Sequence, residues 1–274
     1  MEQGPPASRK ALSNNLDRLL NIMATLRNPQ RGCEWDKAQT FSTIAPYTIE
    51  EAYQVADAIE RNDMAALREE LGDLLLQVVF HSRIAEEAGT FGFDDVAAAI
   101  ADKMEARHPH IFGTASADGQ AREERWEAAK AAEREAKGAT SALDGVASAL
   151  PALMRAQKLQ KRAARVGFDW PDTDTPTTKL AEEVAELAAA ETDEERLAEA
   201  GDLLFAAVNV VRKYGIAPED ALRFGNAKFE RRFRAMETLA GGGFDSLSLD
   251  AQEALWQRVK AAERADQAHP PVAD

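Results

Sequence analysis

The stretch ELGDLLLQVVFHSR, beginning at Glu70, returns at Glu199 as EAGDLLFAAVNVVR, with seven of fourteen positions identical. The correspondence extends outward in the same order. TIEEAYQ (48–54) precedes the first copy as LAEEVAE (180–186) precedes the second, and KMEAR (103–107) follows as KFERR (228–232) does. Trp35 parallels Trp170, and Trp126 parallels Trp256, all at offsets of 125–135 residues. A period of that size is a small domain, so the 274-residue chain is expected to be a tandem duplication of one module. The expected boundaries are an N-terminal module at 12–112, a connecting region at 113–145, a C-terminal module at 146–264, and flexible termini at 1–11 and 265–274.

Each module reads as all-α. The prolines leave long proline-free stretches at 47–108, 110–150, 177–217 and 219–269, where helices can run unbroken. Thr48-Ile-Glu-Glu51 and Thr192-Asp-Glu-Glu195 read as capping boxes, and Pro218 stands where a first helical residue would. No segment shows the sustained alternation of a strand. Of the 45% apolar residues, 54 are alanines, which favours helices packed closely over small side chains.

The balance of 33 basic against 47 acidic residues, a net charge of −14, repels nucleic-acid polymers. One cysteine and four histidines exclude a disulfide framework and a Cys-rich zinc site, and fit a reducing cytoplasm. The longest apolar stretches, around LLLQVVF (74–80), fall short of the ~18–20 residues that span a bilayer. The start, MEQGPPASRK, has no apolar signal core. The expectation is a soluble, cytoplasmic protein.

In so acidic a chain the pattern acidic-acidic-x-x-acidic arises by chance, and Glu123-Glu124-x-x-Glu127 is read as such an accident. Glu182-Glu183-x-x-Glu186 differs in its setting. Its three carboxylates share one arc of a helix. Glu199 and Asp202, at i,i+3, lie within the apolar pattern LAEAGDLLFAAV and not on a polar stripe. A short connection makes the two helices antiparallel neighbours, so all five acids point into one groove. Acids that close destabilise the fold unless cations neutralise them, and oxygen-only ligands select Mg²⁺, with Mn²⁺ as a substitute. Di-iron chemistry would need two Glu-x-x-His motifs. Glu105-x-x-His108 is the single one, and it abuts Pro109.

Lys228, Arg231 and Arg232 stand out in an acidic protein as a clamp for a polyphosphate. Pairing with nearby acids such as Glu230 or Glu237 is the simpler alternative. Trp256, Trp170 and Phe168 could stack on a base or belong to the core. Gly72 and Gly201, inside helices, point either to close approach by a helix or ligand or to a merely tolerated glycine.

The combination of EExxE, ExxD within E-x-G-D-L-L, and K-F-E-R-R, duplicated along one chain, resembles the MazG family of nucleoside triphosphate pyrophosphohydrolases. GCEWDKAQTFSTIAPYTIEEAYQ (32–54), RHPHIFG (107–113), LPALMRAQKLQKRAARVGFDW (150–170) and WQRVKAAE (256–263) extend the likeness from about Leu16 to Glu263. The resemblance implies two helical-bundle modules in a homodimer, hydrolysing nucleoside triphosphates to monophosphate and pyrophosphate with Mg²⁺, the C-terminal module being active. It assigns Glu183, Glu186, Glu199 and Asp202 to the metal. It assigns Lys179, Glu182, the turn Glu195-Arg196-Leu197-Ala198, Lys228 to Arg232 and Trp256 to the nucleotide. Glu182 is the expected general base if Glu183 and Glu186 hold metal.

In the first module the equivalent of Glu186 is Gln54, and that of Arg231 is Ala106. The N-terminal copy is therefore expected to be degenerate, with Glu50, Glu51, Glu70 and Asp73, and nearby Lys103, keeping part of a cation site. Competing readings are a narrower enzyme, such as a dUTPase or phosphoribosyl-ATP pyrophosphohydrolase, or a regulator that binds nucleotide or protein without turnover.

Overall fold

The computed structural model describes residues 9–112, 130–131 and 138–268, with side chains from residue 15 to 265. Much of the expected connecting region lies outside the described residues, as do Glu123 to Glu127 with Trp126, and the outer parts of both termini. Every regular element among the described residues is helical. The chain divides between Ala129 and Lys130 into two compact units.

The first unit contains α1 (Arg9–Leu26), α2 (Glu34–Ala38), α3 (Phe41–Glu60), α4 (Met64–Glu87), α5 (Phe93–Arg107) and α6 (Pro109–Phe112). Helices α3 and α4 form a hairpin closed by three residues, and α1 and α5 pack on α4. Met23, Ile44, Val79, Phe80 and Ile84 make its core. Arg27 fastens the α1–α3 connection to α4. Its guanidinium donates to both oxygens of Glu87, to the carbonyls of Asp36 (2.5 Å) and Gln39 (3.2 Å), and lies over the Phe80 ring.

One expected start is displaced. Thr48 does not cap α3, because Thr40 and Thr43 form a capping box that starts just over two turns earlier. Pro46 lies inside the helix, where it removes one backbone donor. Thr48 bonds inward instead, to the Ile44 carbonyl (3.4 Å) and the His81 ring (3.1 Å).

The second unit contains α7 (Ala152–Arg165), α8 (Asp174–Ala189), α9 (Asp193–Lys213), α10 (Pro218–Ala240), a 3₁₀ turn at Phe244–Ser246 and α11 (Leu249–Ala268). Helices α8 and α9 repeat the hairpin, α7 packs on α9, and α10 packs on α7 and α11. Here the predicted signals stand: Thr192 and Glu195 form the capping box of α9, and Pro218 occupies the first turn of α10. Gln160 is buried and donates to the Phe205 carbonyl (2.8 Å), tying α7 to α9. The loop before α8 is anchored by Asp169, which accepts from Arg212 (2.5 Å) and Lys213 (3.4 Å). A second core forms around Met236, Leu255 and Val259.

Candidate active site

The α8/α9 hairpin brings three of the five predicted acids together. One oxygen each from Glu183, Glu199 and Asp202 lies within 4.8 Å of the others. Glu183 is 5% exposed, Glu199 half-buried and Asp202 exposed, so the cluster opens from a buried floor to solvent. Burying a carboxylate is costly unless it is paired. Its partner is Lys179, whose Nζ stands 2.9 Å from Glu183, 3.0 Å from Glu182 and 3.7 Å from Glu186. Hydrogen bonds to Glu183 and then Glu182 hold the ammonium well above the ordinary lysine range. Glu186 is exposed and lies outside the converging trio. Desolvation by the neighbouring helix surface raises its carboxyl above the ordinary range, against the pull of Lys179, and Glu183, Glu182 and Glu199 add repulsion.

The α3/α4 hairpin holds a matching trio, Glu51, Glu70 and Asp73, again with oxygens within 4.8 Å of one another. Glu50 is exposed at its edge, and Lys103 is exposed on α5. With its amide nitrogen turned toward the acids, Gln54 donates to Glu51 (3.2 Å) and Glu70 (2.6 Å). Glu51 is raised above the ordinary range by desolvation first, then by Asp73, Glu50 and Glu70. Both trios offer hard oxygen donors only, which fits Mg²⁺ or Mn²⁺ and not a soft metal.

The remaining predicted residues occupy other positions. Glu195 accepts from the backbone of Glu191 (2.9 Å) and Thr192 (3.1 Å), so its carboxylate caps α9. Arg196 pairs with Asp193, and Leu197 and Ala198 are exposed. Lys228 lies over the Phe224 ring. Arg231 and Arg232 do form ion pairs, though not with Glu230, which binds Arg234. Both meet Glu263 of α11, at 3.0 and 2.7 Å. The two guanidiniums hold that carboxylate below its ordinary range. Trp256 packs beside the second core and Phe229, as the core reading expects, and Arg232 lies over its ring at 5.4 Å.

Glu263 is the residue that sequence reading missed. It lies 31 and 32 positions beyond its partners, and no local periodicity links them. Its place in WQRVKAAE, two turns on from Trp256 along the same helical face, was the available signal. Phe168 is exposed and meets Trp170 edge-on. His108 is the C-cap of α5, its Nδ1 2.7 Å from the Met104 carbonyl. An added Cβ on Gly72 or Gly201 would meet nothing within 4 Å, so no described part of the chain approaches either.

The model of the MazG nucleotide pyrophosphohydrolase domain matches residues 39–112, from the Thr40 cap to the end of α6. The chain is 51% identical over 259 residues to the nucleoside triphosphate pyrophosphohydrolase of Escherichia coli, covering 91% of this chain and 98% of that protein. It is 39% identical over 250 residues to the nucleoside triphosphate pyrophosphohydrolase/pyrophosphatase MazG of Thermotoga maritima, covering 90% and 96%. The uncharacterized protein YabN of Bacillus subtilis is 42% identical over 272 residues, covering 95% of this chain and 54% of that protein. Two acid clusters on matching hairpins, in a chain this similar along nearly its whole length to these proteins, identify it as a member of the MazG nucleotide pyrophosphohydrolase family.

Proposed function

We propose that the protein hydrolyses nucleoside triphosphates to nucleoside monophosphate and pyrophosphate with Mg²⁺, Mn²⁺ serving as a substitute, and that the α8/α9 hairpin carries the reaction. The observation that carries this reading is the convergence of Glu183, Glu199 and Asp202 on one point between two helices. Glu183, Glu199 and Asp202, with Glu186 at the rim, would hold the cation. Bound there, Mg²⁺ would polarise the phosphates and acidify an attacking water. Glu182, exposed and paired with Lys179 beside this group, would accept the proton of that water. Lys179, Lys228, Arg231 and Arg232 counter the charge that develops on the leaving pyrophosphate, with Trp256 and the first turn of α9 completing the nucleotide site. The arginines must exchange Glu263 for phosphate oxygens.

The chain reads as two modules, 12–112 and 146–264, joined by 113–145, the first keeping a cation site and the second the activity. The apolar surface of the second hairpin favours a homodimer. Leu197 and Leu204 are 77% and 60% exposed, and Val184 and Phe205 are also exposed on the same two helices. No described helix is long and apolar enough to cross a membrane, which accords with a cytoplasmic enzyme. The test is a product-resolved assay with a panel of nucleotides. Monophosphate and pyrophosphate are expected from several of them. Orthophosphate and diphosphate would overturn the chemistry, and turnover of one nucleotide alone would favour a specialist.

A further inference from the structure

We propose that Lys179 is a resident counter-cation of the α8/α9 acid cluster, holding the place of positive charge until a divalent ion displaces it, and that its ammonium is then released toward the triphosphate. The proposal rests on reading that hairpin as the divalent-cation site. Lys179 lies within 3.7 Å of three carboxylates on its own helix, including buried Glu183. Ordinary helix pairing does not account for this. A lysine preceding glutamates by three and four residues is the weaker orientation for helix stability, and one ammonium serving three acids is unlike a surface pair.

The duplicated hairpin provides an internal contrast. In the register that aligns Glu51 with Glu183, the position of Lys179 is Tyr47, an uncharged residue whose ring meets Trp35 edge-on. The first cluster contains Gln54, whose amide can donate hydrogen bonds but carries no charge. The lysine therefore accompanies the complete set of acids. A divalent ion carries twice the charge of the ammonium and takes several oxygens at once, so it outcompetes the ammonium for the Glu183 oxygen that Lys179 contacts. Once displaced, the ammonium remains on the rim of the site, and substrate phosphate is the nearest new source of negative charge. Metal loading and phosphate capture are thus coupled through one side chain.

The experiment titrates Mn²⁺ alone, followed by electron paramagnetic resonance, into the full-length protein without nucleotide. Wild type, Lys179→Met, Lys179→Arg and Glu183→Gln are compared, each in a Glu51→Gln background that suppresses the first cluster. Lys179→Met should bind Mn²⁺ about tenfold more tightly, since a competing charge about 3 Å from the ligand oxygens is gone. Lys179→Arg should stay within about twofold of wild type. In chelator Lys179→Met should melt at a lower temperature than wild type, and Mn²⁺ should raise that temperature more than it does in wild type. Unchanged or weaker Mn²⁺ binding by Lys179→Met, with Glu183→Gln weakened as expected, overturns the counter-cation role alone. Unchanged binding by Glu183→Gln overturns the metal-site reading beneath it.

Discussion

On α3 and α4, Glu51, Glu70 and Asp73 converge beside Gln54; on α8 and α9, Glu183, Glu199 and Asp202 converge beside Lys179. The acids are the same and their compensation differs. In the first hairpin an amide supplies hydrogen bonds without charge, and Glu51 is pushed up by burial and by three neighbouring acids. In the second an ammonium opposes the repulsion. The hairpin with the extra carboxylate also has the extra cation, so the two hairpins differ in their balance of charge.

The largest effect that could break this contrast concerns turnover. Glu183→Gln or Asp202→Asn should lower pyrophosphate release by about 100-fold or more, as expected when a metal ligand is lost. Glu51→Gln and Asp73→Asn should leave it within about threefold. Equal losses in both hairpins would mean that the first module is catalytic too. Next in size, Gln54→Glu replaces two donated hydrogen bonds by repulsion. Without metal it should destabilise the first unit by about 1–3 kcal/mol, recovered on adding Mg²⁺, as read by chemical denaturation.

A smaller effect is expected at Gly72 and Gly201. With open space around both, alanine should stabilise either helix by up to about 1 kcal/mol. If a second copy of the chain covers the α8/α9 face, Gly201→Ala loses that gain and weakens self-association in sedimentation, whereas Gly72→Ala keeps it. The smallest effect is a pH dependence. Because Glu51 is raised above 4.5, the folded protein binds its proton more tightly than the unfolded chain does. Metal-free stability from this group is therefore present below pH 4.5 and declines as pH rises through the raised value. Glu51→Gln should flatten that slope in urea titrations.

The converging trios of both hairpins were legible because i,i+3 and i,i+4 spacing on a helix determines a face without knowledge of the fold, whereas Glu186, expected beside them, stands outside its trio. Thr192 and Pro218 were legible for the same reason, as end signals act over a single turn. Thr48 misled because its capping pattern was judged without Thr40, which competes for the same role upstream and wins despite Pro46. Glu263 was illegible because its partners come from another helix, and side-chain charge alone does not say which of the many surface acids will face Arg231 and Arg232. Lys179 was visible as a residue but not as a bridge, since the distances to Glu182, Glu183 and Glu186 depend on which rotamer the crowded acids select.

Between α10 and the 3₁₀ turn, Gly241, Gly242 and Gly243 all have positive φ, at 65°, 103° and 72°. Three successive left-handed residues reverse the chain in a way that side-chained residues resist. That reversal sets how far α11 slides along α10, and so which residue of α11 lies opposite Arg231 and Arg232. A one-residue insertion within α11, ahead of Glu263, would turn Glu263 about 100° away from the arginines. It would leave Glu183, Glu199 and Asp202 where they are. The acid hairpin and the arginine hairpin are in this sense separately adjustable parts, and the glycine turn belongs to the second alone.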